Sequence, residues 1–145
     1  MKIPLEIQNL AGAVRPTLLF SLRIPQLRGA SRSIRALIDT GSPFSFISDA
    51  DAKLMQIPQD LLQPITRTFI AGNNMVLCEL DKAMQLRMFD ENKKIQEIPF
   101  QLLVALNDGK VKTQSISILG ADFLEKNKLA LYYDPAGRIG YLKKV

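Results

Sequence analysis

A chain of 145 residues, 47% hydrophobic and 23% charged, has the material for one domain with a proper core and too little for two ordinary ones; residues 1–145 are therefore expected to form a single domain. The absence of histidine, with a single cysteine at position 78, excludes Ser/His/Asp and Cys/His nucleophile systems, the usual zinc sites and any internal disulfide. The net charge of +5 arises from 19 basic against 14 acidic residues, clustered locally at Arg28, Arg32 and Arg35; with no aromatic side chains interleaved for base stacking, it reads as a solvated surface, and no nucleic-acid partner is expected.

The longest apolar runs, "PTLLFSL" and "FQLLVAL", fall far short of the roughly 20 residues of a membrane-spanning helix. Residues 1–10 lack a basic start followed by an apolar core, so neither membrane insertion nor export is expected. Together with the single Cys78, this makes a reducing, cytoplasmic setting the expectation. The eight glycines are scattered and never in phosphate-cradling spacing. Carboxylates remain as the main catalytic groups, and neither metal nor cofactor is expected.

In chain order the dominant period is two. "KIPLEI" places Ile3, Leu5 and Ile7 on one face of a strand, and "TLLFSLRI" and "RSIRALI" read as strands either side of the turn-rich "PQLRGASRS". Ser48 and Asp49 can cap a short helix through Met55, and Pro58 ends that pattern. "TRTFIAGNNMVLCEL" reads as a hairpin with Gly72, Asn73 and Asn74 in the turn and Val76, Cys78 and Leu80 alternating on the return strand. "AMQLRM" and, after the polar "DENKK", "IQEIPFQLLVAL" continue the strands. "SISILG" is a short apolar strand, "ADFLEKN" a helical turn or two, and "LALYYD" a strand that leads through "DPAG" into "RIGYLKKV". The fold class is mainly β, with one or two short helices.

The segment "ALIDTGSPFSFIS" plants Asp39 at the end of an apolar run. Asp, Thr, Gly and Ser are all turn formers, and an Asx-turn closing a strand would look much the same. The context says more: Leu37 and Ile38 precede Asp39, Phe44, Phe46 and Ile47 follow it, and "SILGADFLEKNKLALYYD" lies downstream. This arrangement resembles the retropepsin-like aspartic proteases, over roughly Pro16 to Leu142. The family order of a strand into Leu37-Ile38-Asp39-Thr40-Gly41, a hairpin flap around Gly72, and Ile118-Leu119-Gly120 ahead of a short helix is matched.

The resemblance implies a closed β-barrel-like acid-protease fold with a flap hairpin, and an aspartic endopeptidase acting on peptide or unfolded protein. Asp39 becomes the catalytic carboxylate, Thr40 part of the hydrogen-bonded grip between two loops, and Gly41 a point of close backbone approach. Ser42 and the flap residues Ala71, Gly72, Asn73 and Asn74 become substrate-binding. Two carboxylates sharing a proton are needed to activate water and protonate the scissile carbonyl. Asp81, Asp108, Asp122 and Asp134 lack a following Thr-Gly or Ser-Gly, so the second carboxylate is expected from a second copy in a homodimer. In retroviral relatives the termini interleave at the interface, and "KIPLEI" and "GYLKKV" could supply such strands, with Pro4 restricted to an edge.

Departures are visible too. The Asp and Arg that many retroviral enzymes pair across these loops are replaced by Pro43 and Ala121, so both partners are missing together. Asp122 is expected to brace the short helix. The Ser42 hydroxyl is expected to donate a hydrogen bond to the Asp39 carboxylate. Two alternatives stay open: a catalytically silent peptide-binding or dimerisation module, and a basic β-barrel binding nucleic acid through the Arg28–Arg35 loop.

Overall fold

The computed structural model describes residues 1–28, 31–111 and 116–145. Its strands are β1 (Lys2–Pro4), β2 (Glu6–Leu10), β3 (Ala13–Arg23), β4 (Ser31–Ile38), β5 (Phe46–Ile47), β6 (Gln63–Ile70), β7 (Asn73–Glu79), β8 (Met84–Phe89), β9 (Ile95–Phe100), β10 (Leu103–Asn107), β11 (Ser117–Leu119), β12 (Leu129–Asp134) and β13 (Ile139–Lys144). Two short helices, α1 (Asp49–Leu54) and α2 (Ala121–Lys126), and a 3-10 turn at Gln59–Leu61 complete it. The mainly β class stands. Parts of "PQLRGASRS" and of "SISILG" lie outside the described residues.

Period-two burial explains the strands. Leu18, Phe20 and Leu22 of β3, Ile34, Ala36 and Ile38 of β4, and Met84, Leu86 and Met88 of β8 all enter the main core, where alternation turns one pleat face inward. A smaller cluster, Leu37, Phe46, Met75, Leu77, Ala105 and Ile118, sits on the other face of β4 and β11. The large sheet runs β6-β7-β10-β5-β11-β4-β3-β8-β9, with β2 paired on β3, and β1-β13-β12 form a three-stranded sheet. Among the described residues the large sheet has two ends, β6 and β9. The ladder hydrogen bonds therefore do not close it into the barrel that the family resemblance implied.

Three local expectations change. "KIPLEI" is two strands: β1 pairs with β13 (Ile3↔Leu142), Leu5 donates to the Gly140 carbonyl at 2.9 Å, and β2 then crosses to pair with β3 (Glu6↔Thr17). Pro4 sits where the chain leaves the first ladder, a position that tolerates its missing N–H. The terminal strands thus pair with each other inside one chain. In the β6–β7 hairpin the turn is Ala71-Gly72, with φ of 50° and 83°, the sign pattern of a type I′ connection. Asn73 and Asn74 instead open β7, and Asn73 is buried. "IQEIPFQLLVAL" is likewise two strands, β9 and β10.

The helix expectation holds. The Ser48 side chain accepts from the Asp51 N–H at 3.2 Å and Met55 closes the last turn, the N-cap arrangement that satisfies an otherwise unpaired donor.

Candidate active site

β4 and β11 lie parallel, with Leu37 opposite Ile118 and Ile38 opposite Leu119. The Asp39 N–H donates to the Leu119 carbonyl at 3.0 Å, so the end of β4 is held against β11 where the loop begins. Beyond it the Ser42 N–H donates to the Asp39 carbonyl at 3.1 Å and the Gly41 N–H to Asp39 Oδ1 at 2.9 Å. That last bond aims the carboxylate, and a Cβ on Gly41 would lie 3.2 Å from the same oxygen.

The second glycine is fixed by packing. The Ala121 N–H donates to the Ser42 carbonyl at 2.8 Å, drawing the two loops together, and a Cβ on Gly120 would collide with the carbonyl oxygens of Ser42 and Phe44. Asp-Thr-Gly and Ile-Leu-Gly, more than 70 residues apart, are thus one backbone-to-backbone contact.

Side chains reinforce that contact. Ser45 Oγ donates to Asp122 Oδ1 at 2.6 Å and accepts from the Gly120 N–H at 2.8 Å. The Ser45 N–H reaches Asp122 Oδ2 at 3.2 Å, and the Phe123 N–H reaches Oδ1 at 2.8 Å. Asp122 therefore braces α2, as expected, and also ties it to the Asp39 loop, next to Pro43 and Ala121. Ser45 was not legible as a partner, because no local spacing links residues 77 apart.

The Ser42 expectation is overturned. Its hydroxyl lies 2.7 Å from the Phe44 carbonyl oxygen; a carbonyl can only accept, so the hydroxyl proton is spent there and not on Asp39. Thr40 is exposed. Burial pushes the Cys78 thiol above its ordinary pKa, so it supplies no thiolate at neutral pH.

Asp39 opens onto a cavity of about 500 Å³. Two hairpin tips line it, Leu10-Ala11 from β2–β3 and Ile70-Ala71 from β6–β7. Leu37, Ile116 and Ile118 give apolar walls beside Asp39, and Arg15 is the one cation among the described walls. Of the expected site residues, Asp39 and Ala71 line this space. Thr40, Gly41 and Ser42 continue the loop beyond it, and Gly72, Asn73 and Asn74 are not among its walls. Sequence reading missed the β2–β3 tip and Arg15; the Ala11-Gly12 pair was the available signal for that turn. Among the described residues no second carboxylate lines the cavity, and no three or more His, Cys, Asp and Glu side chains group as a metal would require. No helix of the described residues is long and apolar enough to cross a membrane.

The sequence matches no protein-family model and no curated protein. The structure is similar to the crystal structure of a retropepsin-like aspartic protease from Rickettsia conorii, with a TM-score of 0.54 over 98% of this chain and 89% of that one, at 17% sequence identity. The fold is that of the retropepsin-like aspartic proteases.

Proposed function

We propose that residues 1–145 form an aspartic endopeptidase domain whose site is completed by Asp39 from two copies of the chain. The observation that carries this reading is a carboxylate, oriented by the Gly41 N–H, lining a cleft together with the tip of the β6–β7 hairpin and with no second carboxylate among the described walls. One ionised carboxylate takes a proton from water as its protonated partner hydrogen-bonds the scissile carbonyl, so two are needed at once. Asp122, the first intrachain alternative, is occupied by Ser45 and Phe123. Thr40, exposed on this loop, would meet the same loop of a second copy. An extended peptide would lie as an added strand beneath the β6–β7 flap, its side chains alternating into pockets.

Because β1 and β13 already pair within the chain, this reading seats the partner on the Asp39 loop and flap and not on an interleaved terminal sheet. Asp39→Asn should abolish cleavage of an unfolded protein substrate while leaving the melting curve unchanged. Specific activity should fall on dilution through the dimer dissociation constant, and excess Asp39→Asn chains should suppress it by forming half-sites. Full activity from a species that sediments as a monomer would defeat the shared site. Folded, peptide-binding protein without turnover at any pH would favour the silent binding module.

A further inference from the structure

Among the described residues the cleft has one cation, Arg15, and it makes no ion pair. Arg15 stands on β3 opposite Gln8 of β2, and its Nε donates to the Leu10 carbonyl at 3.3 Å. This bond spans the hairpin and fixes the guanidinium plane while leaving both terminal nitrogens available. Ion pairs among the described residues join Arg35 to Glu6, Lys53 to Asp49 and Arg67 to Asp108, and none includes Arg15. The contrast with Arg35 is local: β2 offers Glu6 to one arginine and the neutral Gln8 to the other.

We propose that Arg15 is a specificity residue that takes a carboxylate of the bound peptide, so that the cleft prefers an acidic side chain close to the scissile bond. This rests on the protease reading of the same cleft. A guanidinium matches a carboxylate through two parallel hydrogen bonds, a geometry that an amide or an ammonium cannot reproduce. Apart from Asp39 the described walls around it are aliphatic, among them Leu10, Leu37, Ile70, Ile116 and Ile118, and a bound peptide would exclude water from them, strengthening the pair. Repulsion from Asp39 would keep the peptide's carboxylate on the β2–β3 side of the cleft.

The test uses peptides with a reduced, uncleavable bond that carry Glu or Gln at each successive position, titrated by fluorescence anisotropy near neutral pH, where Glu is ionised. Wild-type protein should bind one Glu peptide roughly tenfold or more tighter than its Gln twin. Arg15→Met, checked for an unchanged melting curve, should erase that ratio, and Arg15→Lys should keep part of it. Equal binding of every Glu/Gln pair, or a ratio that survives in Arg15→Met, overturns the proposal. So does an Arg15→Met protein that loses self-association in sedimentation with the ratio intact, which would place the guanidinium at an interface. If the Glu preference is found but the corresponding natural peptides are never cut, the hydrolytic reading falls and the recognition stands.

Discussion

The β2–β3 and β6–β7 hairpins are built on the same turn and serve the cleft differently. Both turn on Ala-Gly with positive φ at each residue, 51° and 78° at Ala11-Gly12 and 50° and 83° at Ala71-Gly72, and both tips line the cavity over Asp39. β3 continues into the core and pairs with β4 and β8 as well as β2. The hairpin is pinned from outside, where the Tyr133 hydroxyl donates to the Val14 carbonyl at 2.6 Å and Arg138 Nη2 to the Ile7 carbonyl at 3.3 Å, and from within, where the buried Thr17 hydroxyl donates to the Glu6 carbonyl at 2.8 Å. β6 ends the sheet, pairs with β7 alone and exposes most of its length, including Phe69 at 66%. Close to the turn the Asp108 N–H donates to the Asn74 carbonyl at 2.8 Å, and midway along β6 Arg67 pairs with Asp108. The same Ala-Gly turn thus caps a hairpin held on both strands in one case. In the other, the outer strand β6 buries little apolar surface while β7 is held by Met75 and Leu77, so that β6 is expected at the low end of local stability.

The largest effect that separates them is core truncation. Leu18→Ala in β3, where the side chain is 2% exposed, should cost about 3 kcal/mol in urea unfolding. Phe69→Ala in β6 should stay within about 0.5 kcal/mol. A comparable loss from both would show that β6 is as integral to the fold as β3.

A finer test acts on the turns themselves. A Cβ at Gly12 or Gly72 meets nothing within 4 Å, so Gly→Ala at either introduces backbone strain alone, about 1 kcal/mol. Gly12→Ala should lower global stability by that amount. Gly72→Ala should raise amide exchange in β6 and change KM for peptide while moving the global melt less. Equal global shifts would erase the distinction between the two hairpins.

The smallest effect concerns a third hairpin, β8–β9. Burial alone would raise the Asp90 carboxyl, but hydrogen bonds from the Lys94 and Asn92 N–H groups and the Gln96 amide, with the charge of Lys94, outweigh it and hold the group below the usual carboxylate range. A depressed pKa stabilises the fold above the ordinary Asp value, and the contribution is lost as pH falls through the depressed one. Asp90→Asn should therefore destabilise at neutral pH and flatten the acid limb of the stability curve. An unchanged limb would mean that the carboxylate does not titrate with folding.

The sequence by itself determined what local pattern can determine. Period-two burial gave β3, β4, β7 and β8, the Ser48 cap gave α1, and Asp39-Thr40-Gly41 with Ile118-Leu119-Gly120 announced the fold, because strand alternation, capping and tight turns are short-range. Even there the turn in "FIAGNNM" was set one residue late, since Asn tolerates positive φ as well as Ala-Gly does and only the β7 register, Asn73 opposite Ile70, decides between them. Tertiary structure decided the rest. Pairing of β1 with β13, the join of Ser45 to Asp122, and the meeting of Arg15 with Asp39 in one cleft all depend on which distant backbone lies alongside. That is fixed by how the whole chain buries its apolar faces and pairs its buried polar groups, and no window of neighbouring residues contains it.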